Sequence, residues 1–177
     1  MSKIPFRAAL FDLDGTLLDS MNVWKRVDEI FFAGRGMVVP EDYGRKVAGM
    51  SYRETAEFTV AEYLPGETAQ GLLDEWSRLS LREYAERVPL KPGAADYLRM
   101  LRRAGVRLAV TTALPPSMYE PCLKRLGVFA LFDELCSTEH TGDRGKAGGE
   151  VYLLAARRLN VPPEDCAVFE DVLAGVA

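Results

Sequence analysis

Two aspartates separated by one residue are the feature of this 177-residue chain that most clearly suggests chemistry. Asp12 and Asp14 lie on either side of Leu13, directly after a short apolar run, and Gly15 follows them. Two like charges this close repel each other unless a positive charge compensates them, and a divalent cation commonly does so. The pair therefore indicates a metal-dependent site. The same residue types would also suit Asp14 as a helix cap beside a solvated Asp12.

Other polar side chains follow other apolar runs along the chain. Thr112 precedes a helix start, where a hydroxyl and free backbone N–H groups suit an anion. Lys146 lies in the glycine-rich segment 142–149, and Glu170 and Asp171 follow a further apolar run. Each also has an ordinary explanation, as a strand-end threonine, a solvated lysine and acidic residues at a helix N-terminus. If these apolar runs are parallel strands, all these residues meet at the edge of the sheet where ligands bind.

The elements that would position these residues alternate between short apolar strands and amphipathic helices. Strands are predicted at 7–12, 106–110, 131–136 and 166–169. Helical patterns separate the later strands, with Gly105 at the end of one helix and Pro116 in the first turn of the next. This alternation predicts an α/β fold with a doubly wound, Rossmann-like parallel sheet.

Residues 19–89 interrupt the alternation. This segment carries apolar stripes at helical spacing, such as Val23, Val27 and Ile30, but no convincing strand. We therefore predict a discontinuous core domain, 1–18 and 90–177, with an all-helical domain, 19–89, inserted after the first strand.

Taken in chain order, these residues resemble the motifs of the haloacid dehalogenase superfamily, in the branch whose helical cap is found in phosphatases and β-phosphoglucomutases. The segment from Asp12 to Thr16 is similar to the first motif. Thr112 fits the second motif, Lys146 the third, and Glu170-Asp171 the fourth. The resemblance covers nearly the whole chain.

The resemblance implies a magnesium-dependent phosphatase that acts on a small phosphorylated metabolite through an aspartyl-phosphate intermediate. Asp12 would be the nucleophile, and Asp14 the general acid and base. Mg²⁺ would be held by Asp12, the Asp14 carbonyl and Asp171, with Glu170 acting through water. The phosphate would be bound by Thr112, Ala113 and Lys146. In the cap, the candidates for substrate contact are Gly49, Tyr52 and Arg53.

The sequence also departs from the family pattern. Lys146 is followed by Ala-Gly-Gly where the family often has Pro-x-Pro, and the sequence given stops at Ala177, so we expect the C-terminal edge strand to be missing. Ala48 and Tyr52 occupy cap positions where β-phosphoglucomutases carry cations for a second phosphate. Plain hydrolysis is therefore favoured. A sugar phosphomutase and a truncated, poorly active remnant remain as alternatives.

The composition narrows the possible partners and surroundings. Lys and Arg number 22 and Asp and Glu 26, which gives a formal charge of −4 and argues against a nucleic-acid partner. The single histidine excludes a multi-histidine metal site, and three cysteines without Cys-x-x-Cys spacing favour a reducing compartment. Without an apolar run of about 18 residues, no membrane span is expected. We expect a cytoplasmic monomer or weak dimer.

Overall fold

A computed structural model describes residues 4–48, 50, 52–142, 146 and 148–171 of the chain. The chain separates into two compact units, one formed by Met1–Met21 with Tyr84–Ala177 and the other by Asn22–Glu83. They are called the sheet unit and the helical unit below. The helical unit lies inside the segment 19–89 that the sequence marks as an insertion.

The sheet unit is built on four parallel strands, which are β1 (Ala8–Phe11), β2 (Arg107–Thr112), β3 (Glu134–Ser137) and β4 (Cys166–Phe169). Their order across the sheet is β3-β2-β1-β4. In this register Phe11 at the end of β1 lies beside Val110 on one side and Phe169 on the other. The residues that follow these strand ends therefore meet at one edge, and the predicted α/β fold is confirmed.

Seven α-helices accompany the strands in the described chain. They are α1 (Val23–Ala33), α2 (Tyr43–Val47), α3 (Tyr52–Tyr63), α4 (Ala69–Glu86), α5 (Ala94–Arg103), α6 (Pro116–Arg125) and α7 (Glu150–Leu159). The sequence signals at the helix ends are confirmed: Gly105 follows α5 with φ of 80°, and Pro116 is the first residue of α6. No described helix is both long enough and apolar enough to cross a membrane.

The core of the sheet unit forms where α7 packs on the strands. Val151, Ala155 and Leu159 recur at four-residue spacing on α7 and are fully buried against Leu10 and Ala109. All four residues of β1 are buried, as expected for a central strand covered on both faces. The strand that carries the paired aspartates is thus the most enclosed part of the sheet.

Two predicted strand boundaries differ from the structure by two residues or more. The third strand begins at Glu134 rather than at residue 131, because Phe129–Leu131 forms a 3₁₀ turn. The second strand continues through Thr112, because Thr111 and Thr112 pair with Cys136 and Ser137 of β3. β-branched threonine suits such an extended, paired position.

The helical unit has its own aromatic core. Phe31 and Phe32 of α1 are fully buried, and their rings contact Trp76 of α4 and Tyr43 of α2 edge to face. Arg35, just after α1, donates hydrogen bonds to Glu67 and Glu75, both at 2.7 Å. These contacts join α1, α2 and α4, and the described residues of this unit contain no strand.

Candidate active site

Asp12 emerges directly from the end of β1. Its backbone N–H donates to the carbonyl of Phe169 at 3.0 Å, which extends the β1–β4 pairing by one residue. The whole residue is only 4% exposed. The strand thus places a carboxyl group in a largely enclosed position at the edge of the sheet.

Lys146 joins Asp12 to Glu170. Its Nζ donates to Asp12 Oδ1 at 2.5 Å and to Glu170 Oε1, with the carbonyl of Thr111 at 3.5 Å. These partners come from the ends of β1, β4 and β2, so one ammonium group bridges three strands. The loop residue that sequence alone leaves as a possible solvated lysine is in fact largely buried, at 14% side-chain exposure.

The two carboxyl groups that share this ammonium differ in acidity. Burial raises the pKa of Asp12 to about 6, although the hydrogen bond from Lys146 opposes that rise. Burial acts in the same sense on Glu170, but the hydrogen bonds from Lys146 and Tyr152 outweigh it and hold its pKa below the ordinary value. The Tyr152 hydroxyl donates to Glu170 Oε1 at 2.8 Å. Glu170 is therefore held as an anion by its hydrogen-bond donors, whereas the charge of Asp12 is less well compensated by its neighbours.

Three carboxylates form a group that could hold a metal ion. Oxygen atoms of Asp12, Glu170 and Asp171 lie within 4.8 Å of one another. Asp12 Oδ2 is buried and has no hydrogen-bond partner among the described residues, so the group contains an acceptor that is left open to a bound ligand. Among the described residues, Lys146 is the basic side chain that contacts this group, through Asp12 and Glu170. Oxygen-only donors suit a hard divalent cation. The residues present thus fit such an ion.

Gly15 makes room for this acidic group. Its φ is 76°, a conformation that residues with a side chain rarely adopt, and a Cβ at this position would collide with the Asp171 carboxylate. Gly15 therefore not only turns the chain but also leaves space for the Asp171 carboxylate to approach.

The Asp14 side chain lies apart from this group and has its own partners. Its Oδ1 accepts hydrogen bonds from the hydroxyls of Ser20 at 2.6 Å and Tyr84 at 2.7 Å. Neither Ser20 nor Tyr84 was predicted from the sequence as a site residue. Ser20 follows Asp14 by six residues and could have been considered as a local partner, whereas nothing in the sequence links Tyr84, 70 residues away, to Asp14.

The predicted phosphate-binding threonine lies at the expected edge. Thr112 ends β2 and is 1% exposed, and its Oγ1 accepts the backbone N–H of Leu114 at 3.1 Å, which fixes the turn that contains Ala113. The preceding residue, Thr111, was missed. Its Oγ1 is buried without a partner among the described residues, and its carbonyl contacts Lys146.

The cap candidates belong to the helical unit. Tyr52 and Arg53 begin α3, and the Tyr52 ring lies between the rings of Trp24 and Trp76, with centroids 5.5 Å and 5.6 Å away. Gly49 lies outside the described residues. Their assignment as substrate contacts stays a prediction.

Proteins of similar sequence and structure match most of this chain. The chain is 31% identical over 169 residues to hexitol phosphatase A of Escherichia coli K12, covering 94% of this chain and 75% of that protein. It is 28% identical over 173 residues to a phosphorylated carbohydrates phosphatase of Thermotoga maritima, covering 96% and 78%. The crystal structure of CbbY from Rhodobacter sphaeroides in complex with phosphate superimposes with a TM-score of 0.74 at 26% identity, covering 97% and 80%.

The family comparison covers the site and both units. The model of the haloacid dehalogenase-like hydrolases matches residues 6–177, which include Asp12, Lys146, Glu170 and Asp171. This chain belongs to the haloacid dehalogenase-like hydrolases.

Proposed function

We propose that this hydrolase is a magnesium-dependent phosphatase that cleaves a small phosphorylated metabolite through a phosphorylated Asp12. The observation that carries the proposal is the state of the Asp12 carboxyl: Oδ1 is held by Lys146, and Oδ2 is buried without a partner among the described residues. An oriented carboxylate with one uncommitted oxygen is what an in-line attack on phosphorus requires.

The first step transfers the phosphoryl group to the protein. Asp12 Oδ2 forms a bond to phosphorus while the bond from phosphorus to the ester oxygen breaks. Asp14 gives its proton to the departing oxygen, which leaves as an alcohol. The hydroxyls of Ser20 and Tyr84 both contact Asp14 Oδ1, so we assign the transferred proton to Oδ2.

The second step returns the protein to its starting state. Asp14, now ionised, takes a proton from water, and the resulting hydroxide attacks phosphorus and breaks its bond to Asp12. Inorganic phosphate leaves, and both aspartates regain their original protonation. In both steps Lys146 neutralises charge on the phosphoryl oxygens, and Thr112 with the Ala113 backbone orients them.

We assign Mg²⁺ to the acidic group of Asp12, Glu170 and Asp171, with the Asp14 carbonyl as a further ligand and Glu170 acting through water. When bound, this cation would supply positive charge against the transferring phosphoryl group. The oxygen-only donors and the uncompensated negative charge of the group support this choice over a softer metal.

The relatives support a phosphorylated sugar or polyol as the substrate, since two of them are named as phosphatases of hexitols and of phosphorylated carbohydrates. We further propose that the protein works in the cytoplasm as a monomer or weak dimer.

Hydrolysis of p-nitrophenyl phosphate, with and without Mg²⁺, tests this function. Activity should depend on Mg²⁺ and should fall on the order of 10³-fold or more in Asp12→Asn and strongly in Asp14→Asn. Asp165→Asn is the matched control, because Asp165 is a carboxyl group at the other end of β4 that pairs with Arg7. Undiminished turnover by Asp12→Asn would overturn the proposal. Activity that appears only with a sugar phosphate and a bisphosphate primer would instead indicate the mutase.

A further inference from the structure

Tyr84 reaches Asp14 from the last turn of α4. Its hydroxyl donates to Asp14 Oδ1 at 2.7 Å, and the residue is 3% exposed. Because α4 ends at Glu86, the Tyr84 carbonyl is among the last four of the helix, which have no partner within it. A frayed last turn would let the Tyr84 hydroxyl leave Asp14. The orientation of the Asp14 carboxyl group therefore depends in part on what holds this end of α4.

Arg125, the last residue of α6, holds the end of α4. Its Nη2 donates to the carbonyl of Tyr84 at 3.3 Å and to the carbonyl of Val88 at 2.5 Å. One carbonyl belongs to the helix and the other to the segment that follows it, so a single guanidinium group joins the two. A cation that donates to the last carbonyls of a helix also interacts favourably with the negative end of its dipole.

The segment after α4 is attached a second time, to the chain that follows Asp14. The Pro89 carbonyl accepts the backbone N–H of Asp19 at 2.9 Å. This backbone hydrogen bond fixes the far end of the segment, and Arg125 extends the attachment back to Tyr84. The path from Arg125 through Tyr84 to Asp14 thus runs entirely through described residues of the sheet unit.

We propose that Arg125 is a positioning residue for Asp14, the general acid. By holding the Tyr84 carbonyl, it keeps the Tyr84 hydroxyl on Asp14 Oδ1, which leaves Oδ2 directed at the ester oxygen of the substrate. This role rests on the proposed phosphatase function, in which Asp14 gives its proton to the departing oxygen. Arg125 itself contacts neither the substrate nor the metal in this role.

Two substrates that differ in their leaving group test this role. Nitrophenol leaves readily without a proton, whereas phenol is as weak an acid as a tyrosine side chain, with a pKa of about 10, and depends more on the general acid. In Arg125→Met, kcat/KM should fall about threefold with p-nitrophenyl phosphate and at least about tenfold with phenyl phosphate. This ratio covers the steps up to release of the leaving group. A merely structural role would lower it by the same factor for both substrates.

A conservative replacement and a double variant identify the path. Both hydrogen bonds come from one nitrogen, so the ammonium group of Arg125→Lys can replace them and should restore most of the loss. Adding Arg125→Met to Tyr84→Phe should cause no further loss, because both changes remove the same contact with Asp14. Losses that multiply would overturn the proposal, as would an Arg125→Lys variant no more active than Arg125→Met. Arg125 is itself exposed, so neither replacement requires the core to repack.

Arg103→Met is the matched control, because Arg103 is an exposed arginine of α5 that also donates to a backbone carbonyl, that of Arg99. Its kcat/KM should stay within about twofold of the parent for both substrates. The two proposals fail separately. Undiminished turnover by Asp12→Asn overturns the phosphatase function, whereas an enzyme that needs Asp12 but loses activity equally with both substrates in Arg125→Met overturns only the role of Arg125.

Discussion

Two aspartates, one in each unit, have nearly the same electrostatic state and very different neighbours. Burial raises the pKa of Asp12 in the sheet unit and of Asp28 in the helical unit to about 6. Asp12 contacts the Lys146 ammonium and lies beside two further carboxyl groups, whereas Asp28 lies among aromatic rings without a basic partner in the described chain. A perturbed carboxyl marks a candidate site, but its neighbours decide the chemistry.

Among the changes that test this comparison, the largest effect should come from removing the cation that distinguishes the two aspartates. Lys146→Met keeps the length of the side chain but leaves Asp12 and Glu170 without their shared ammonium. We expect kcat for p-nitrophenyl phosphate to fall about 10²–10³-fold, because the charge on the phosphoryl oxygens is no longer neutralised.

The matched control for this change is Lys124→Met. Lys124 is an exposed lysine whose ion pair with Glu120 connects adjacent turns of α6. Such an exposed ion pair contributes little to the stability of the protein, so kcat should stay within about twofold of the parent. A similar loss of activity in both lysine variants would show that the effect of Lys146→Met does not depend on the position of Lys146 beside Asp12.

The next largest effect should follow from filling the space beside Asp171. Gly15→Ala places a Cβ against the Asp171 carboxylate, so that carboxylate must move away from Asp12 and Glu170. We expect the Mg²⁺ concentration for half-maximal activity to rise at least about tenfold, together with a loss of roughly 1–2 kcal/mol of stability from the positive φ. A magnesium titration of activity measures the first effect.

Gly105→Ala is the control that separates the effect of backbone strain from the effect of crowding the Asp171 carboxylate. Gly105 has a φ of 80°, similar to that of Gly15, but nothing lies within 4 Å of a Cβ there. It should lose similar stability in urea unfolding while its magnesium requirement stays unchanged. If both alanine variants shift the magnesium titration equally, backbone strain rather than the approach of Asp171 is responsible.

For Asp28, we expect substitution to increase the stability of the protein rather than to reduce it. A carboxyl whose pKa is about 6 in the folded state and 3.8 otherwise costs stability when it ionises. That cost is absent well below pH 3.8, grows between pH 3.8 and 6, and is complete above pH 6. An asparagine side chain is neutral at every pH, so Asp28→Asn should raise the free energy of unfolding by about 1–2 kcal/mol at pH 8, allowing for solvent screening.

Urea unfolding followed by tryptophan fluorescence measures this gain in the relevant unit, since Trp24 and Trp76 both lie there. The gain should be roughly halved at pH 5. A variant less stable than the parent at pH 8 would mean that Asp28 has a stabilising partner.

The sequence predicted one of these two regions and not the other. Asp12, Lys146, Glu170 and Asp171 follow apolar strands or lie in a recognisable motif, and parallel strands necessarily bring their carboxyl ends together. The surroundings of Asp28 have no such signal, because the sequence shows Trp76 only as one apolar residue in a helical stripe. Only the packing of α1, α2, α3 and α4 shows that its indole N–H lacks a partner among the described residues.

The predicted start of the third strand was wrong for a related reason. The apolar run 131–136 gives no sign that Phe129–Leu131 forms a 3₁₀ turn, because a short apolar segment fits either structure. The two hydrogen-bond partners of Asp14 also differ in how far the sequence can predict them. Ser20 is near in sequence, but Tyr84 reaches Asp14 only through the path that the chain takes after the helical insertion.

The smallest expected effect concerns Asp14, a third carboxyl group, whose side-chain hydrogen-bond donors are neutral hydroxyls. Tyr84→Phe removes one of the two donors to Asp14 Oδ1 and leaves Ser20 in place. Removing one such hydrogen bond costs about 1 kcal/mol while the second donor keeps Asp14 oriented, so kcat should fall about fivefold. The magnesium requirement should be unchanged, since Asp14's side chain lies outside the acidic group of Asp12, Glu170 and Asp171.

Tyr119→Phe is the control for that change, because Tyr119 is an equally buried tyrosine of the sheet unit with no role in the proposed mechanism. Steady-state kinetics with p-nitrophenyl phosphate should show the loss in kcat for Tyr84→Phe and not for Tyr119→Phe. A Tyr84→Phe variant with full kcat would mean that Ser20 alone orients Asp14. A raised magnesium requirement would mean instead that the two aspartates of the first motif act as one unit, since a neutral donor on Asp14 would then influence the charge around Asp12.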